Sequence, residues 1–155
     1  MSASAFDPDL LMAAVTEQAL TRRPPIPAGT ELLGMVGKPT GRQNPGKQDP
    51  SKLYTFFDFP IEVDLTGVPG LAEMQGTTKI NLRHSVSLDL TASGTIDWST
   101  GKNGGLRRMR EALDMNTAGQ PFSIAAMQGR PIRVKIGNRT YEGEIYDEIE
   151  SVSKV

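Results

Sequence analysis

Tyr54 and Phe56 stand two residues apart in a stretch, Leu53 to Leu65, that alternates apolar and polar residues. Period two is the mark of a strand, and it turns both rings toward the polar side, with Asp58, Glu62 and Asp64. Water does not reward an outward ring. A flat partner does: stacking an unpaired nucleobase on such a ring contributes about 1–3 kcal/mol and tolerates any base. Basic side chains surround these rings in the sequence. Lys38, Arg42, Lys47 and Lys52 fall just before them, Lys79 and Arg83 on the next alternating stretch, and Arg133, Lys135 and Arg139 near the end of the chain. Trp98 is a further stacking candidate. Rings for bases and cations for phosphates are the chemistry of sequence-tolerant binding to single strands.

Each residue has a competing reading. Tyr54 and Phe56 also suit burial under an N-terminal helix or at a subunit interface, and Trp98 suits a core. Arg107, Arg108 and Arg110 read as the solvated face of a helix. His84 falls on the apolar side of its strand, which favours a hydrogen-bonded core histidine. Asp58, Glu62 and Asp64 repel phosphate, so a groove on this face is expected to end near Phe56.

Catalysis finds little support. No cysteine is present and histidine occurs once, which excludes thiolate or histidine-rich metal sites, disulfides and cysteine nucleophiles. Gly41–Lys47 fits the glycine-rich phosphate-loop spacing. Gln48 then replaces the hydroxyl that would hold magnesium, and Pro45 and Pro50 oppose a helix starting there. The acids of 58–64 and 142–150 have no spacing that sets them apart from ordinary polar strand faces. A non-enzyme with no cofactor and no metal is expected.

The elements must bring these residues together, and charge is segregated in a way that helps. The net charge is −1. Residues 21–57 carry six basic side chains against two acids, as do residues 79–110, while residues 1–20 and 58–78 carry acids only. Two stretches of about +4 can thus form one positive face on an otherwise acidic body.

Asp7 and Pro8 predict the start of a helix over 7–21, with Phe6 stapled on Leu11. Arg23-Pro24-Pro25-Ile26-Pro27 stops it and forms a stiff linker. Residues 1–27 therefore read as a helical arm that packs on the body or on a second copy of the chain, and 28–155 as one domain. Strands are expected at 30–36, 53–65, 79–91, 132–136 and 140–152, with a hairpin at Gly137-Asn138 and a short return strand at 95–98. A helix is expected at 105–114 and a helical turn at 123–128. Residues 37–52, with three Gly, three Pro and four basic side chains, read as a long mobile loop. Three strands, a helix and two strands is the order of an OB-fold. The expected class is mainly β: an OB-fold-like five-stranded barrel with an N-terminal helical arm and a helix between strands 3 and 4.

PPIPAG at 24–29, GKNGGLRRMREALDMN at 101–116 with PF at 121–122, and GRPIRVKI at 129–136 resemble the small single-stranded DNA-binding proteins encoded by bacteriophages. The resemblance runs from about Pro24 to the C-terminus. It implies an OB-fold that protects single-stranded DNA during phage replication or recombination, in the host cytoplasm, with replication or recombination proteins as further partners. Such binders often end in an acidic tail. Here the closing Glu150 to Val155 reads as strand, so tail-borne recruitment is not expected. No secretory signal or membrane span is expected either. The alternative reading is a phage structural or interaction protein that docks through its N-terminal helix.

Overall fold

The alternating stretches at 53–65 and 79–91 become neighbouring strands of an antiparallel sheet. In the computed structural model, which describes residues 5–155, β1 (Glu31–Val36), β2 (Thr40–Pro45), β3 (Leu53–Asp64), β4 (Lys79–Leu88), β5 (Pro131–Tyr141) and β6 (Glu144–Ser153) form one six-stranded sheet. Three short helices, α1 (Pro8–Met12), α2 (Leu71–Gln75) and α3 (Gly104–Ala112), and a 3-10 turn at Ile124–Met127 complete it. The protein is mainly β.

β3 organises the sheet. One edge pairs with β4 along its length, Thr55 opposite Leu88 through to Asp64 opposite Lys79. The other edge is shared, with β2 against Leu53–Asp58 and β1 against Ile61–Val63. Pro60 lies opposite the break between β2 and β1. Its carbonyl accepts from Gly37 N (2.7 Å), so its missing N–H faces the gap and costs no ladder bond. β1 continues to β5, and β5 to β6. At this crossing only glycine fits: a Cβ on Gly34 would stand 2.6 Å from Ile61 Cγ2. The two outer strands, β4 and β6, come within 8 Å in Cα position, yet no ladder joins them among the described residues.

The inward residues of β3 and β4 (Phe59, Ile61, Val63, Ile80, Val86) meet Ile132, Val134 and Ile136 of β5 in the core. α3 closes it with Leu106, Met109 and Ala112, and Gly105 sits so near Val86 that a Cβ would be 3.1 Å from its Cγ1. Arg107 and Arg108 remain exposed, as a solvated helix face requires.

Four expectations are corrected. The loop at 37–52 contains β2, which TGRQNP did not reveal because it has no large apolar residue. Cross-strand contacts to β3 hold it, including Gln43 Nε2 donating to Thr55 Oγ1 (3.0 Å). The β5–β6 hairpin turns at Glu142-Gly143, both at positive φ (49° and 77°), while Gly137 stays in the ladder opposite Glu148. The return strand at 95–98 shrinks to one bridge, Leu90 to Ile96.

The fourth concerns the arm. The N-cap is real, with Asp7 accepting from Asp9 N (3.0 Å) and Leu10 N (3.2 Å). The helix nevertheless ends at Met12, and Phe6, Leu10, Leu11, Met12 and Val15 are all exposed, so no staple or packing on the body forms. A helix this short has no support without a buried face. Thr16 Oγ1 further captures Gln18 N (3.0 Å), a local bond that competes with helix. The linker does reach the body. Ile26 is fully buried, its N–H donates to Asp147 (2.8 Å), and Arg22 pairs with Glu144 (2.9 Å) and lies 4.4 Å from the Tyr146 ring centroid.

Candidate nucleic-acid interface

The register of β2, β3 and β4 places Arg42, Phe56 and Ser87 in one cross-strand row and Thr40, Asp58 and Ser85 in the next, all on the outer face. Asn44 and Tyr54 form a third row toward the hairpin. Tyr54 is 52% exposed and rests against Gly46, where a Cβ would be 2.9 Å from its ring. Phe56 is half-buried because the Arg42 guanidinium lies 4.5 Å over its ring centroid. Both rings thus belong to the outer face, and neither is covered by the N-terminal helix.

Asp58 is the residue that sequence reasoning misjudged. It was expected to repel ligand from an open face, yet it is only 6% exposed. Arg42 Nε donates to its Oδ2 (2.7 Å), Ser85 Oγ to its Oδ1 (2.5 Å), and Arg83 Nη1 stands 4.0 Å away. Burial pushes the carboxyl up, but the hydrogen bonds from Arg42 and Ser85 and the two arginine charges outweigh it and hold it below the ordinary carboxylate range. The acid therefore anchors the Arg42 guanidinium over the Phe56 ring. Period-two alternation locates Asp58 on this face, but only the register reveals the partners above it.

The other cations divide. Lys47 and Lys52 stand exposed on the turn between β2 and β3, which is closed by Gly46 N to Lys52 O (2.8 Å), and Lys38 is exposed between β1 and β2. Arg83 also lines a cleft of about 450 Å³ between β4 and β6, with Arg139, His84, Asp147 and Glu148. His84 is half-buried there and makes no ring hydrogen bond among the described residues, contrary to the expected bonded core histidine. Burial first, then the charge of Arg108, lowers its pKa.

Lys79 lies at the far end of β4, paired with Glu62 (3.3 Å). Arg133 and Lys135 occupy β5, where Lys135 is 4.0 Å from Glu150 and Arg133 lines a recess with Asp64 and Glu31. These three lie toward the Asp64 end of β3, far along the sheet from Tyr54. Trp98 is also separate: it is exposed rather than core, its aromatic partner is Phe122, and it lines a different pocket beside α3.

Among the described residues no cluster of His, Asp or Glu is arranged to hold a metal ion, and no helix is long and apolar enough to cross a membrane. No known protein family matches the chain, and no curated protein matches it.

Proposed function

We propose that this chain binds single-stranded DNA without sequence preference, on the outer face of β2, β3 and β4. The observation that carries the reading is the adjacency, on one face, of the exposed Tyr54 ring and the Arg42 guanidinium held over Phe56 by Asp58. Both are planar surfaces on which successive bases stack, and a guanidinium is a stacking surface as well as a cation. Lys47 and Lys52 on the turn, Lys38 and Arg83 are the cations left for phosphate, since Arg42 is committed to Asp58. The sheet order supports reading β1 and β2 as two halves of the first strand of an OB-type barrel, open between β4 and β6. Protection of single strands in phage replication or recombination is the role that such a module would serve.

Tyr54→Ala tests the reading. The ring is exposed, so folding stability should change by no more than about 0.5 kcal/mol. Affinity for a dT oligomer should fall by about 1–3 kcal/mol, the loss of one stacked base. Unchanged affinity in the folded variant removes Tyr54 from the site.

A second reading rests on the exposed apolar run of Phe6, Leu10, Leu11 and Met12, none of which is buried. This segment suits an arm that docks on a second copy of the chain or on a partner protein, and it is compatible with strand binding by the sheet.

A further inference from the structure

Beside α3, the loop from Asp97 to Asn103 encloses a pocket of about 270 Å³ that shares no lining residue with the Tyr54 face. Trp98 forms one wall and is 59% exposed. The ring is held by a T-shaped contact with Phe122, the centroids 6.1 Å apart and the planes 87° to each other. Arg110 lies 4.0 Å over the Phe122 ring and 5.9 Å from that of Trp98. Its Nε donates to Met115 O (3.0 Å), which fixes the guanidinium and leaves its terminal nitrogens free of protein hydrogen bonds among the described residues.

Two more cations line the space. Arg107 is engaged by Glu111 (3.2 Å), whereas Lys102 forms no ion pair among the described residues. Asp97 is the only acid in the lining, and its carboxylate accepts from Ser99 N (3.0 Å) and Ser99 Oγ (2.5 Å). The loop is rigid. Asn103, buried and at φ +54°, accepts from Asp89 N (2.7 Å) and donates to the carbonyls of Asp89 (3.0 Å) and Asp97 (2.8 Å). A preformed pocket with one flat aromatic wall and two uncommitted positive groups, slightly smaller than a typical small-molecule site, fits one ring system carrying one anionic group.

We infer that this pocket binds a nucleoside monophosphate unit, its base stacked on Trp98 and its phosphate held by Lys102 and the terminal nitrogens of Arg110. The unit is either a free nucleotide or the phosphorylated end of a strand. This site stands independently of the sheet face.

Trp98 is the sole tryptophan of the chain, so its fluorescence reports directly on the pocket. Thymidine monophosphate added to the full-length protein should quench it saturably, while thymidine or inorganic phosphate alone should need at least about tenfold higher concentration. Arg110→Gln and Lys102→Ala should each weaken the nucleotide by about tenfold, the loss of one charge-assisted hydrogen bond. Lys102→Ala removes no side-chain hydrogen bond or ion pair among the described residues and keeps the test valid if Arg110→Gln disturbs the fold. Tyr54→Ala should leave the titration unchanged.

No quenching by thymidine monophosphate up to roughly 10 mM overturns the inference, as does equal quenching in Lys102→Ala. Loss of the effect in Tyr54→Ala also overturns it, by moving the nucleotide to the sheet. A dT oligomer with a terminal phosphate that outcompetes the mononucleotide assigns the pocket to strand ends, and equal affinity assigns it to free nucleotide; either result supports the site. Quenching by the mononucleotide in a protein that fails to bind the unphosphorylated oligomer retires the sheet-face reading and leaves this one standing.

Discussion

Arg42 donates to the Asp58 carboxylate at 2.7 Å while lying 4.5 Å over the neighbouring Phe56 ring. One buried acid thereby holds a long flexible cation in place over an aromatic ring. Tyr54 and Phe56 thus share the outer face with Arg42, while Lys47 and Lys52 stand on the adjoining turn and Lys38 before β2.

Asp58→Asn should destabilise the protein by about 1–3 kcal/mol in urea unfolding, because the ionic partner of Arg42 and Arg83 is lost. The sign of the pH dependence follows from the lowered pKa. Above the ordinary value of 3.8 the folded and unfolded chains are both ionised here and the stabilisation is complete. As pH falls below that value the unfolded chain takes up the proton first, and stability is lost down through the folded pKa. The Asn variant should show a shallower acid loss than the parent. Parallel acid curves would mean that the ionised Asp58 contributes nothing to stability.

His84 has the opposite chemistry with the same direction. Its pKa is lowered from 6.5, first by burial and then by Arg108. The folded state keeps the ring neutral while the unfolded chain protonates, so stability should be flat above 6.5 and decline as pH falls toward the lowered value. Comparing urea midpoints at pH about 7.5 and about 5.5 checks this, and His84→Gln should remove that part of the decline.

Deleting residues 1–21 should leave unfolding within about 0.5 kcal/mol of the full chain, since no described residue before Arg22 is buried. Light scattering of the two proteins then reads the arm directly. If the exposed run of Phe6 to Met12 joins copies of the chain, the mass should drop to that of a monomer while oligomer binding persists. A deletion that unfolds the body contradicts the exposure of the arm.

The strands with clean alternation, β3 and β4, were legible in the amino-acid order, as were α3 with its Leu106 and Met109 stripe and the outward direction of Tyr54. β2 was not, because its polar residues carry no period and its ladder depends on β3. The Glu142-Gly143 turn escaped notice because glutamate seldom takes a left-handed conformation. The N-cap at Asp7 was correctly read, but helix length depends on a buried face that this segment lacks. At the site, single residues were visible and their relations were not. Asp58 becomes an anchor only where Arg42 and Ser85 arrive from two other strands, and Trp98 joins Arg110 and Phe122 through a loop and a helix whose approach no local pattern encodes.

The most direct test is the affinity of the full chain for a dT oligomer across a series of salt concentrations, read by fluorescence anisotropy. The account predicts binding that weakens with salt, its log–log slope near −0.7 for each phosphate met by Lys38, Lys47, Lys52 and Arg83, hence about −2 to −3. Affinity that does not respond to salt, or no binding below roughly 100 μM at low salt, would contradict it.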